Sequence, residues 1–167
     1  FFPFFEFYLN NLSLVDNFFF VDVLCVEYLS EALQVYRTLA EENPRTYLPD
    51  VAMTLNNLAI LQSEKNEYGA AEANYTEALQ LRRTLAEENP RTYLPDVAMT
   101  LINLSIFYLQ SKPDSQQSVA MAMEVLSIAQ AFSNIPIVNR YAEAARQVLT
   151  ANGVNETDYS LPNERWD

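Results

Sequence analysis

The sequence predicts an all-α protein built as an array of stacked helix pairs. Three observations predict it. First, residues 31–60 (EALQVYRTLAEENPRTYLPDVAMTLNNLAI) and residues 77–106 (EALQLRRTLAEENPRTYLPDVAMTLINLSI) match at an offset of 46 residues with only four differences. A period of that size marks a solenoid or array, in which each unit buries its apolar face against its neighbour. Second, the 167 residues include only two glycines, and Ala, Leu and Glu are plentiful, which favours helix over strand. Third, half of the residues are apolar, enough for one domain with a real core and not the composition of a disordered tail.

The offset extends toward the N-terminus. Pro3 falls on Pro49, and Leu9-Asn10-Asn11-Leu12-Ser13 falls on Leu55-Asn56-Asn57-Leu58-Ala59. Eight of the ten phenylalanines lie between Phe1 and Phe20, and this segment reads as a diverged first unit whose hydrophobicity is core plus a terminal face. No Lys or Arg precedes Arg37, so the basic region of a secretory signal is missing. Glu6, Asp16, Asp22 and Glu27 interrupt any membrane span. The chain begins at Phe1 rather than Met, which reads as a fragment or a processed product.

Each unit reads as two helices. The first begins at a proline, Pro49 or Pro95, because the missing N–H needs no partner at the first helical position. Asp50 and Asp96 then fall in the first turn, where the helix dipole favours an acid. In the middle copy this helix runs to about Glu64, and Lys65-Asn66-Glu67 makes a turn. A second helix runs from about Tyr68 to Glu88 and stops before Pro90, since the residue before proline avoids the helical region. The Asn-Pro-Arg-Thr-Tyr-Leu stretch reads as the loop to the next unit. Glu41-Glu42 and Glu87-Glu88 oppose the dipole at helix C-termini and read as solvated ends, with Arg45 and Arg91 following in the loops.

The third unit drifts. Leu101, Leu104 and Tyr108 continue its first helix, and Ser111-Lys112-Pro113-Asp114-Ser115 is a turn. A helix over about 116–132 carries the stripe Val119, Ala122, Val125, Leu126, Ala129 and Phe132. Ser133-Asn134-Ile135-Pro136 breaks it. A last helix spans about 137–152 with Gly153 as its C-cap, and Arg140, Glu143, Arg146 and Gln147 provide the polar outer face that a terminal cap requires. The units are therefore expected at about 3–42, 49–88 and 95–132, followed by the capping helix and a polar tail over 154–167.

Composition narrows the function. A net charge of −12 disfavours nucleic acid and anionic membrane surfaces and suits a neutral or basic partner. Cys25 is the only cysteine, so no intrachain disulfide can form, and a reducing, cytoplasmic location is expected. Cys25 falls on a small, buried position of its unit, where packing and not nucleophilic chemistry is expected. The chain has no His, which removes the commonest general base and the Cys/His zinc sites. Two glycines cannot build a phosphate loop. No enzyme activity, cofactor or metal is expected. Asn-X-Ser/Thr sequons occur at Asn11, Asn74, Asn103 and Asn155, three of them inside expected helices.

These residues carry a resemblance to the tetratricopeptide repeat. That motif sets a large residue, then Leu and a small residue on the first helix, and a small residue, an aromatic and Ala on the second. The middle copy supplies Leu55, Leu58, Ala59, then Ala71, Tyr75 and Ala78. The third supplies Leu101, Leu104, Ser105 and Tyr108, then Ser118, Ala122 and Val125 after a one-residue insertion. The first supplies Leu9, Leu12, Ser13, then Cys25, Leu29 and Ala32. The stretch from Pro49 to Ala59 is similar to the long-repeat variant of kinesin light chains and many bacterial repeat proteins.

The resemblance implies a right-handed superhelical solenoid of three helix-turn-helix repeats plus the capping helix. Its concave groove would be lined mainly by the first helices and would bind a peptide or protein segment. The groove residues it implies are Asn10, Asn11, Met53, Asn56, Asn57, Ile60, Met99, Asn103 and Ile106. A carboxamide offers one acceptor and two donors and can pair with a peptide C=O and N–H together. The same Asn positions equally suit hydrogen bonds to the next repeat. Two other readings stay open: a homo-oligomer that stacks through the Phe-rich N-terminal face, and a regulatory module of a larger protein.

Overall fold

The computed structural model describes residues 25–155. The segment expected as the first helix of the first unit, with Phe4, Phe5, Phe7, Asn10 and Asn11, lies outside the described residues, as does the tail beyond Asn155. Within them the chain is helical with no strand. A helical segment over 25–42 (α1) is followed by α2 (Pro44–Glu64), α3 (Tyr68–Glu88), α4 (Pro90–Gln110), α5 (Ser115–Ala131) and α6 (Pro136–Ala151).

Two helix starts differ from expectation. α2 and α4 begin at Pro44 and Pro90, so the expected loop is helical and Pro49 and Pro95 lie inside the helices. A single residue, Asn43 or Asn89, breaks the chain between one helix and the next. Asn89 Oδ1 accepts a hydrogen bond from the Thr92 N–H, and its own N–H donates to the Leu85 carbonyl. One residue thus caps two helices, with proline at the first helical position behind it. Pro49 and Pro95 each remove one bond, to the carbonyls of Arg45 and Arg91, which are exposed residues near the helix start. Burial offsets that loss: Leu94 is buried in the core and Tyr93 packs against it. Burying one such side chain is worth about 2 kcal/mol. Asp50 and Asp96 consequently sit in the second turn, and neither helix has an acid in its first turn. The dipole therefore does not explain them.

The other turns follow backbone chemistry. Asn66 adopts a left-handed conformation (φ 62°), the Glu67 N–H donates to the Gln62 carbonyl, and the Asn66 N–H donates to Ser63. Gly153 (φ 76°) closes α6 in the same way, with Val154 bonded to Leu149 and Gly153 to Thr150. Both ends are Schellman motifs, and Val154 adds the apolar contact that accompanies them.

Consecutive helices pack in pairs, and α4 lies at the centre, against α2, α3, α5 and α6. Small side chains stand where helices meet: Ala59, Ala71, Ala78, Ala98, Ser105, Ser118, Ala122 and Ala145 are fully buried. Such residues let backbones approach, and the ridges of Leu and aromatic side chains fill the remaining space. Phe107 is ringed by Tyr68, Tyr75 and Tyr108 at centroid distances of 6.2, 5.8 and 5.4 Å. A smaller cluster joins α1 to α2 and α3 through Leu33, Ala40, Val51, Leu55, Leu58 and Ala78. The inward stripe of α1 runs through Val26, Leu29, Leu33, Tyr36 and Ala40. Cys25 stands off that stripe and is exposed, contrary to the buried position expected for it.

All four positions that differ between the long copies are packing positions in at least one copy, and at the first of them Leu81, the counterpart of Val35, packs on the smaller cluster described above. Tyr36 is replaced by Arg82, Asn56 by Ile102, and Ala59 by Ser105. Ser105 Oγ donates to the Ser118 carbonyl at 2.7 Å, and Ser118 Oγ donates to the Ser105 carbonyl at 2.9 Å. Asn152 Nδ2 donates to Ser118 Oγ, so α4, α5 and the end of α6 are tied together. Arg82 is 3 % exposed and donates to the Asp96 carbonyl and to Thr100 Oγ1, which locks α3 to α4.

Candidate functional site

Contacts between α2 and α4 set the site. Asn103 Nδ2 donates to Asn56 Oδ1 at 3.2 Å, and Ser63 Oγ donates to Ser111 Oγ at 2.9 Å. Both partners advance along their helices in the same direction, so α2 and α4 run parallel and side by side. α4 in turn touches α6. The second helices of successive units are also linked by ion pairs of long side chains. Arg37 meets Glu77 between α1 and α3, and Arg83 meets Glu124 between α3 and α5, each at 2.6 Å. The acidic partner moves by 47 residues between the two pairs and the arginine by 46. The third unit therefore carries its one-residue insertion before Glu124.

The expected groove residues fall into three groups. Asn10 and Asn11 lie outside the described residues. Met53 (46 % exposed) and Asn57 are open to solvent, while Ile60, Met99, Asn103 and Ile106 are half-buried. At spacings of four and three residues, Met53, Asn57 and Ile60 follow one another along α2, and Met99, Asn103 and Ile106 repeat them along α4. Asn56 stands apart, at 1 % exposed. It accepts from Asn103 and donates to Asn57 Oδ1 at 3.4 Å, so its carboxamide is a strut between helices. Of the three carboxamides, that of Asn57 is the one a ligand can approach freely.

Below this strip, at the C-terminal ends of α2 and α4, lies a pocket of about 260 Å³. Ile60, Ile106 and Phe107 form its apolar wall, and Ser63, Glu64, Tyr75, Asn103, Gln110 and Ser111 supply its polar groups. The residue-level pattern of the sequence marked Ile60, Asn103 and Ile106 but missed the others. Glu64 and Gln110 are equivalent positions at the 46-residue offset, a signal that was present but lay at the ends of the helices. Tyr75 was read as a packing residue; it is 3 % exposed, yet it also lines the pocket. Burial, then the nearby Glu64 charge, push its phenol well above the ordinary tyrosine range. It stays neutral and can donate a hydrogen bond.

A second, broader depression of about 480 Å³ is lined by Arg45, Leu85, Glu88, Asn89 and Tyr93. An exposed Arg45–Glu88 ion pair at 3.5 Å spans two of its lining residues. Such a pair contributes little. Among the described residues no group of three or more acidic or Cys side chains is arranged to hold a metal ion. None of the described helices is long and apolar enough to cross a membrane. No protein-family model, no curated protein and no solved structure matches this chain significantly.

Proposed function

We propose that this chain is a tetratricopeptide-like interaction module that binds an extended segment of another protein along α2, α4 and α6. The observation that carries the reading is the doubled strip of Met, Asn and Ile on two parallel, adjacent helices. Side-by-side first helices, with ion pairs of long side chains between second helices, suit an array that curves toward its first helices. Thioether and branched apolar side chains adapt to varied partners, and the open Asn57 carboxamide suits a peptide backbone. The charge of −12 favours a neutral or basic segment. A single exposed cysteine suits the reducing cytoplasm.

Selection from a random peptide library tests this, with Asn57→Ala and Met53→Ala as the control variants. Both residues are exposed, so the variants should keep the wild-type helicity and melting temperature. The expected result is a set of enriched peptides whose affinity falls about three- to tenfold in each variant, as for a lost hydrogen bond or apolar contact. Peptides that bind both variants like the wild type would rule out this strip. The self-association reading has support in the exposed Tyr28 and Val35 on α1. It requires a concentration-dependent mass that vanishes when Phe4, Phe5 and Phe7 become Ser.

A further inference from the structure

The pocket at the C-terminal ends of α2 and α4 has a chemistry more specific than the strip above it. Tyr75 is almost completely buried, but its hydroxyl makes no hydrogen bond within the described residues. Among the described residues the one fully buried side-chain polar atom without a partner is Ser127 Oγ, so the Tyr75 hydroxyl is reached from the pocket. Glu64 makes no ion pair or hydrogen bond there either, and neither does the Gln110 side chain. Of the cations closest in sequence, Lys112 is held by Glu72 at 2.6 Å, and Lys65 has an interaction of its own. No Lys or Arg lines the pocket. It is thus a site with one anion, a free hydroxyl, a free carboxamide and an apolar wall.

We propose that this pocket takes one basic side chain, arginine or lysine, of the bound segment. Its aliphatic stem would lie along Ile60, Ile106 and Phe107. Its charged head would meet the Glu64 carboxylate, with the Tyr75 hydroxyl oxygen and the Gln110 carbonyl oxygen as further acceptors. Long cationic side chains combine those two needs, an apolar stem and a charged tip. An acidic side chain would face Glu64 with no compensating cation, and a purely apolar one would leave the polar groups unbonded. The inference deepens the groove reading: it makes one basic residue of the partner the anchor that sets its register.

The pocket can be tested apart from the groove. N-acetyl-arginine methylamide is titrated into the isotope-labelled protein, beside N-acetyl-citrulline methylamide, its neutral isostere. The expected result is saturable amide shifts around Asn103, Ile106 and Gln110 with the arginine compound, at least threefold tighter than with citrulline and weaker in high salt. Glu64→Gln should abolish the preference for arginine. Tyr75→Phe, which keeps the ring and its packing, should weaken binding about threefold. Equal binding of the two compounds, or a preference for arginine unchanged in Glu64→Gln, would overturn the proposal. Arginine binding without any enriched library peptide would uphold the pocket and sink the groove. Enriched peptides that lack a basic residue and ignore Glu64→Gln would do the reverse.

Discussion

Asn103 on α4 donates to Asn56 on α2, and this one bond joins a half-exposed residue of the candidate groove to a side chain buried in the packing. The two asparagines are not equivalent in the repeat. Asn103 corresponds to the open Asn57, and Asn56 corresponds to the apolar Ile102. One copy has thus acquired a polar strut that the other lacks.

Removing the strut should destabilise the protein. Asn56→Ala deletes a buried carboxamide and leaves Asn103 without its acceptor, at an expected loss of about 1–2 kcal/mol. Asn57→Ala removes an exposed side chain and should stay within about 0.5 kcal/mol of the wild type. Urea unfolding of the two variants checks the contrast. A binding defect in Asn57→Ala then reports on the groove, whereas one in Asn103→Ala mixes binding with stability.

Arg82 should behave as a structural cation. Its guanidinium is buried against the Asp96 carbonyl and Thr100, and burial lowers its pKa despite the opposing Asp96 charge. Arg82→Ala opens a cavity and strips two acceptors, so about 2–4 kcal/mol of stability should be lost. Arg82→Met fills the volume without the charge and should lose less. Equal losses in thermal melts would show that hydrogen bonding, not packing, matters at this site.

The two glycines should respond in opposite directions. A Cβ at Gly69, near the start of α3, meets no atom within 4 Å and needs no unusual backbone angle. Gly69→Ala should stabilise by about 0.5–1 kcal/mol through the unfolded state. Gly153 also has open space around it, but its φ of 76° is the left-handed conformation. Gly153→Ala should lose about 1 kcal/mol from backbone strain alone. Paired melting curves test both.

Two carboxylates should give opposite pH signatures. Hydrogen bonds from Lys112 and Tyr108 hold Glu72 below its ordinary range, while burial and the Glu72 bond push the Tyr108 phenol up to about 12. The stability Glu72 supplies is present above the ordinary glutamate pKa and is lost as pH falls through its lowered folded value. Glu72→Gln should therefore be weaker than wild type at neutral pH, and the gap should close in acid. Asp96 is raised by burial, against the pull of Arg82. Its contribution is largest below the ordinary aspartate pKa and is lost as pH rises through the folded value. Asp96→Asn should gain on the wild type as pH rises from the ordinary aspartate pKa through the raised folded value. Denaturation midpoints from acid to neutral pH decide both signs.

The sequence showed the helix ends best where the backbone itself demands a residue type. The turn at Lys65-Asn66-Glu67 and the cap at Gly153 both fall where expected, and each holds a left-handed residue. It misled at Pro49 and Pro95, because two prolines five residues apart each satisfy the rule for a helix start. The choice fell to Leu94 and Tyr93, whose burial against distant helices draws the earlier segment into the helix. Cys25 failed for a related reason: the repeat alignment named its position, but the inward face of α1 passes through Val26 and Leu29.

What the sequence by itself determined was the helical character, the 46-residue unit and the apolar positions of each helix. These follow from propensity and periodicity, which act over a few residues and leave a local record. Only the tertiary structure decided which asparagine is buried, where Arg82 finds its acceptors, and that Tyr75, Glu64 and Gln110 share one pocket. Those outcomes depend on how closely two nearly identical helices approach. Spacings of an ångström between segments far apart in the chain settle that, and no local pattern encodes them.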